Sequence, residues 1–236
     1  MRAIGFDLGD TLITYDEIAG GSFKAHFRKA LGQVCAAVGM ESAEELLIQG
    51  EWILSKYNTR ENPRELEVTD TAVFTEVLEA WQADLLKVPV AIKAFFAYFQ
   101  QTSRAFADTE EALRALKQKG ISIGILTDVP YGMNRELVMS DVAPIQKYVD
   151  VVVTSAETGF RKPRPEGYRI LAGQLQSEPQ GMIYVGNEPK DISGASAAGM
   201  IPVLLDRDLA GFACGQRYTI RNLGELEGLL RSIDHC

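Results

Sequence analysis

The second half of the chain alternates, and that alternation is its strongest constraint. From residue 108 onward, short apolar runs take turns with helical tracts. The runs are ISIGIL (121–126), VDVVVTS (149–155), MIYVG (182–186), IPVLL (201–205) and a final YTI. Between them lie DTEEALRALKQKG, opened by acidic residues and closed by Gly120, and helices over 165–175, 191–198 and 223–233. Strands separated by whole helices cannot be hairpins; they pair in parallel, with the helices covering both faces. Residues 2–7, apolar and closed by turn residues, supply one more buried strand at the start of the chain. The fold class is therefore α/β around a parallel sheet.

Between the first strand and this alternating half, the grammar is different. Phe23, Phe27, Leu31, Val34 and Val38 recur at steps of three and four, the period of a helix with one buried face. ESAEELLIQGEWILSKY continues as a second helix, with Leu46, Leu47, Trp52, Ile53 and Leu54 as its apolar bulk, and Pro63 stops it. TAVFTEVLEAWQADLL and VAIKAFFAYFQ read as two more helices, parted by Val88-Pro89. The Phe95, Phe96 and Phe99 cluster reads as core. Residues 15–103 are thus expected to form an all-helical insertion, and 1–14 with 104–236 the parallel-sheet core. Gly20-Gly21 suggests a hinge on one side of the insertion, and 102–106 one on the other.

In parallel sheets the chemistry gathers at the carboxyl ends of the strands. The first strand ends at Asp7 in FDLGDTL, and the 121–126 strand at Thr127-Asp128. The 182–186 strand leads into Asn187, with Asp191 four residues on, and Lys162 sits in GFRKPRPEGY between two prolines. A carboxylate can attack phosphorus in line. A hard cation such as Mg²⁺ takes oxygen ligands and shields that carboxylate from an anionic substrate. A lysine and a hydroxyl can bind the phosphoryl oxygens.

FDLGDTL, ILTD, GFRKPRP and VGNEPKDISGASAAGM, in this order, resemble the four motifs of the haloacid dehalogenase superfamily of phosphohydrolases. The resemblance implies a Rossmann-like parallel-sheet core with an inserted helical cap of the C1 type. It implies Asp7 as nucleophile and Thr127, with the adjacent Asp128, as substrate-binding. Lys162 would balance charge on nucleophile and phosphoryl group. Mg²⁺ would be the cofactor, held by Asp7, the carbonyl of Gly9, Asn187 and Asp191, directly or through water. Two positions depart from the pattern. The usual second aspartate, a general acid and base, is replaced by Gly9, with a carboxylate one residue later at Asp10. The usual acid opening the fourth motif is the amide Asn187, beside Glu188.

Each residue also has a plain structural use. Asp7 and Thr127 can cap turns, Lys162 can be a solvated loop lysine, and Asp191 can cap the helix it opens. Asp10 reads as a turn residue ahead of a substitute acid, His26 as a surface or packing residue, and Cys35 as a small core residue.

The formal net charge of −8 argues against nucleic acid and anionic membrane as partners. Two histidines leave little material for a histidine metal centre, and three scattered cysteines suit a reduced, cytoplasmic chain. No signal peptide or membrane-spanning run is expected. The reading is an Mg²⁺-dependent phosphatase acting on a small organic phosphate through an aspartyl-phosphate on Asp7. The alternatives are a metal-free 2-haloacid dehalogenase using the same aspartate, and a family relative that only binds a phosphorylated ligand.

Overall fold

The computed structural model describes residues 3–15, 23–100 and 103–234. The Gly20-Gly21 hinge lies outside them. The described chain divides into two compact units. The first comprises Met1–Thr14, Arg104–Asp128 and Val142–Cys236; the second comprises Tyr15–Ser103 and Val129–Asp141.

The first unit is built on six parallel strands. These are β1 (Ala3–Phe6), β4 (Ser122–Thr127), β5 (Val151–Thr154), β6 (Ile183–Gly186), β7 (Ile201–Leu205) and β8 (Tyr218–Ile220). Their order across the sheet is β5-β4-β1-β6-β7-β8, so the first strand is central. It pairs in register with β4 through Phe6↔Ile125 and with β6 through Phe6↔Val185. The helices α5 (Thr109–Gln118), α8 (Glu166–Gln174), α9 (Pro189–Ala198) and α10 (Leu226–Asp234) follow the alternation read from sequence. The four residues of β1 are all buried, as a strand covered on both faces must be. One core cluster packs Leu171, Ala172 and Tyr168 of α8 against Leu126, Tyr184 and Met200. Tyr168 and Tyr184 meet edge to face at 4.7 Å.

The second unit holds α1 (Phe27–Val38), α2 (Glu44–Tyr57), α3 (Asp70–Ala80) and α4 (Val88–Gln100). Phe27, Leu31, Val34 and Val38 are buried on one face of α1, as the periodicity requires, and Phe74, Phe95, Phe96 and Phe99 fill the same core. Trp52 departs from the expected pattern. It is 64% exposed, its ring covered by the Lys56 ammonium at 3.6 Å, because α2 turns Ile53 and Leu54 inward instead.

Three features escaped the local pattern. Short strands β2 (Ile13–Tyr15) and β3 (Ser103–Ala105) form a separate two-stranded sheet at the ends of the tract read as wholly helical. Helix α6 (Arg135–Val142) and the four-residue α7 (Ser155–Thr158) were not anticipated. The stretch 129–141, contiguous with the 121–126 run, groups with the helical unit. Tyr131 meets Phe27 at 5.6 Å and Phe95 at 5.9 Å, both edge to face. Gly132, at φ +69°, lies where any Cβ would overlap the backbone of Val68, Thr69 and Asp70. Asn134 donates to Asp70 Oδ2 at 2.9 Å.

Candidate active site

Every residue of the site belongs to the first unit. Asp7 follows β1, its N–H donating to Val185 O at 2.9 Å, so the backbone bonding of strand β1 carries on to this residue. Thr127 ends β4 and Asn187 follows β6, the two neighbours of β1. The sheet therefore gathers Asp7, Thr127 and Asn187 at one edge, as parallel topology dictates.

Lys162 enters from the loop between α7 and α8 and is the centre of the arrangement. Its Nζ donates to Asp7 Oδ1 and to Asp191 Oδ1, both at 2.6 Å, and to the Tyr184 hydroxyl at 3.3 Å. Only 2% of the lysine side chain is exposed. Burial works against its charge, but Asp191 and Asp7 outweigh that and hold its pKa well above the ordinary lysine value. Burial pushes the Asp7 carboxyl up to about 7, against the pull of Lys162 and with Asp191 adding to the rise. One ammonium between two carboxylates leaves a buried negative charge, which favours a cation at the open side of Asp7.

Two of the expected site residues also have structural work. Asp191 is fully buried. Its Oδ1 takes Lys162 and its Oδ2 takes the Glu188 N–H at 2.9 Å, closing a capping box at the start of α9. Each oxygen accepts one of these bonds, so in this geometry Asp191 holds the lysine and caps the helix. Gly186 is a condition of that placement, since a Cβ there would overlap the Asp191 carboxyl. Asp128 is likewise tied to its neighbours. Its Oδ1 accepts the Lys162 backbone N–H at 3.0 Å, and its Oδ2 faces Arg161 at 3.7 Å and Lys190 at 3.5 Å. It anchors the lysine loop.

The oxygens that remain suit Mg²⁺. Among the described residues Asp7 Oδ2 takes no hydrogen bond. Asn187 Oδ1 accepts only the Thr11 hydroxyl at 3.2 Å and keeps a second lone pair. With the Gly9 carbonyl these are three hard donors, the kind of partial set that Mg²⁺ completes with water and substrate phosphate. No group of three His, Cys, Asp or Glu side chains capable of holding a metal occurs among the described residues. The reason is visible in the chemistry: one donor is a backbone carbonyl and another an amide. Thr127, 7% exposed, has no hydrogen-bond partner for its hydroxyl among the described residues and can take a ligand oxygen.

Gly9 leaves open space where the missing acid would stand, with no heavy atom within 4 Å of an ideal Cβ. Asp10 sits exposed at the turn with φ 56°, the left-handed region that aspartate tolerates better than most residues. His26 belongs to the helical unit, its Nδ1 2.9 Å from the Tyr98 hydroxyl.

The family model for haloacid dehalogenase-like hydrolases matches residues 1–199. The chain belongs to the haloacid dehalogenase-like hydrolases. Among curated relatives, it is 29% identical over 148 residues to a ribulose-1,5-bisphosphate 5-phosphatase of Halopiger xanaduensis, covering 58% of this chain and 61% of that one. It is 31% identical over 117 residues to a phosphoglycolate phosphatase of Salmonella choleraesuis, covering 48% and 46%. The chain thus spans about half to three fifths of the length of these relatives. Among solved structures, a HAD phosphatase from Thermococcus onnurineus superposes with a TM-score of 0.69 at 21% identity, covering 98% of each chain. A 2-haloacid dehalogenase from Pseudomonas syringae superposes with a TM-score of 0.70 at 21% identity, covering 99% of each. At that identity the two structures speak for the family's fold alone.

Sequence reasoning missed Tyr184, Thr11 and Arg207. Tyr184 donates to Leu126 O at 2.8 Å while meeting Lys162, yet within MIYVG it reads as one more core residue. No local signal marks it, because its partners lie 58 and 22 positions away.

Proposed function

We propose that this protein is an Mg²⁺-dependent phosphatase that hydrolyses a small organic phosphate through a covalent phosphoryl group on Asp7. The observation that carries the reading is the buried Lys162 ammonium shared by Asp7 Oδ1 and Asp191 Oδ1, with Asp7 Oδ2 left open. A carboxylate so held has one oxygen fixed and the other available for in-line attack. Asp7 Oδ2 bonds to phosphorus as the bond to the departing oxygen breaks. Thr127 donates to a phosphoryl oxygen, and Lys162, fixed by Asp191, keeps Asp7 oriented and offsets charge throughout. Water then attacks phosphorus, releases phosphate and restores the carboxylate. Mg²⁺, held by the Asp7 carboxylate, the Gly9 carbonyl and Asn187 Oδ1, would supply charge neutralisation for the attacking carboxylate and the phosphate. The names of the curated relatives, phosphatases of phosphoglycolate and of ribulose 1,5-bisphosphate, support a small phosphorylated substrate. The helical unit occupies the same place in the chain as the family's cap, and we assign it substrate selection on that basis.

Gly9 favours one second reading. Dehalogenation of a 2-haloacid by Asp7 attack on carbon needs no acid at residue 9. The two reactions separate cleanly in the assay. Phosphate release that requires Mg²⁺ and disappears in Asp7→Asn supports the phosphatase; halide release that persists with EDTA refutes it.

A further inference from the structure

The turn that carries Asp7 is gripped by one arginine from a distant loop. Within residues 8–13, Leu12 and Ile13 donate their N–H groups to Leu8 O at 2.9 and 3.1 Å, and Asp10 N–H donates to Ile13 O at 2.8 Å. The carbonyls of Thr11 and Leu12 therefore leave the turn looking for donors. Leu12 O takes the Phe106 N–H at 3.1 Å and the Thr109 hydroxyl at 2.8 Å. Thr11 O takes Arg207 Nη2 at 3.0 Å. The same guanidinium clasps Asp108, Nη1 to Oδ2 at 2.9 Å and Nη2 to Oδ1 at 3.0 Å, and lies 4.1 Å over the Phe106 ring. Asp108 is itself fixed, its Oδ2 accepting the Leu223 N–H at 2.8 Å. The fit is specific enough to cost a donor: the buried Arg207 Nε has no acceptor among the described residues.

Thr11 faces two ways. Its carbonyl is held by Arg207, and its hydroxyl holds Asn187 Oδ1 at 3.2 Å. We propose that Arg207 is a positioning residue for this active site. Through the Thr11 carbonyl it fixes the turn bearing Asp7 and Gly9, and through the Thr11 hydroxyl it sets the direction of the Asn187 amide. Arginine is the residue the position needs. Its rigid planar fork spans a carboxylate and still reaches a carbonyl with a charged donor, whereas a lysine offers a single rotating ammonium. A plain structural brace would make the same ion pair with Asp108, so the distinguishing quantity is what happens at Thr11 and Asn187.

The activity arm of the test rests on the phosphatase reading above; the exchange arm does not. Wild type, Arg207→Met and Arg207→Lys are compared by p-nitrophenyl phosphate turnover, by the Mg²⁺ concentration giving half-maximal rate, and by amide hydrogen exchange over residues 8–13 and 122–127. In Arg207→Met, half-maximal Mg²⁺ is expected to rise ~10-fold or more, as for other groups that orient a metal ligand. Turnover should fall by ~10–100-fold with substrate KM little changed, because displacing a catalytic group by an ångström costs on that order. Exchange at 8–13 should quicken while exchange at 122–127 stays as it was. Arg207→Lys should fall between the two on every measure, and it carries the test if Arg207→Met does not fold. Unchanged turnover and Mg²⁺ requirement, with only a lowered Tm, would reduce Arg207 to a brace and overturn the inference. A wild type that releases no phosphate refutes the phosphatase reading instead, and exchange at 8–13 then decides: quickened in the variants, Arg207 holds the turn; unchanged, it does not.

Discussion

Replacing Gly9 by aspartate should restore a missing step of the proposed chemistry, and the structure makes the substitution cheap. An ideal Cβ at residue 9 meets nothing within 4 Å, and Gly9 is not among the residues with positive φ. Neither crowding nor backbone strain opposes the change, and losing glycine's freedom in the unfolded chain stabilises by about 0.4–1 kcal/mol. The new carboxyl would follow Asp7 by two residues, the place the general acid takes in the usual first motif. Such an acid typically contributes ~10²–10⁴ in rate, or about 2.7–5.4 kcal/mol of barrier. The gain depends on the leaving group. An alkyl alkoxide needs the proton fully, while p-nitrophenolate leaves almost unaided. Wild type should therefore hydrolyse aryl and acyl phosphates far better than alkyl phosphates. In Gly9→Asp, kcat/KM for an alkyl phosphate should rise by ~10²-fold or more, and for p-nitrophenyl phosphate by less than ~10-fold. Steady-state phosphate release on both substrates, with Tm as the folding control, measures this. An unchanged alkyl-to-aryl ratio in a folded Gly9→Asp protein refutes the reasoning. So does a wild type that prefers alkyl phosphates and loses that preference in Asp10→Asn, which would make Asp10 the acid.

Asp7→Asn should leave the fold intact and abolish phosphate release, read by phosphate assay beside circular dichroism; residual turnover at the wild-type rate sinks the nucleophile assignment. Lys162→Met strands two buried carboxylates and should cost about 3–5 kcal/mol in urea denaturation. Changing Asp7, Lys162 and Asp191 together to Asn, Met and Leu should recover most of that loss, since no unpaired charge remains. Gly186→Ala should destabilise by about 1–3 kcal/mol through overpacking against Asp191 and should cut turnover as well; a silent Gly186→Ala would mean that Asp191 can move without consequence. In the helical unit, Asp141 is 2% exposed, takes the Tyr15 hydroxyl on Oδ2 at 2.7 Å, and leaves Oδ1 without a hydrogen-bond partner among the described residues. Burial raises its pKa above the usual 3.8, so the folded state prefers the protonated acid. Its favourable contribution is complete below 3.8 and is lost as pH rises through the folded value. Asp141→Asn should therefore raise Tm at pH 8 and give a shrinking benefit as pH falls toward 4; a benefit constant with pH would show that the carboxyl is not charged at neutrality.

What could be read from the sequence, and what could not, divides along the range of the interactions involved. IPVLL and YTI coincide with strands β7 and β8 to the residue, and the apolar stripe on α1 is buried as its period demands. These depend on neighbours within one or two turns of chain. The site candidates were legible for a related reason. Parallel strands deliver their carboxyl ends to one edge, so strand ends alone nominated Asp7, Thr127 and Asn187, and the stiffened loop nominated Lys162. The same residues could not reveal their duties. Asp191 and Asp128 carry the right charge in the right motifs, but only the folded chain shows the bonds each makes, one with Lys162 and a helix cap, the other with the lysine loop. Trp52 looked like core because composition cannot say which way a helix is turned, and tertiary packing turned it outward. The 129–141 stretch carries too weak a period to declare itself, and it is the fit of Tyr131 between Phe27 and Phe95 that assigns it to the helical unit. Arg207 is the furthest case. Its two partners lie 99 and 196 positions away, and a loop arginine has no local signature for a carbonyl on the other side of the sequence. Local periodicity follows from the covalent chain, whereas pairings over such separations exist only once the sheet has closed around β1.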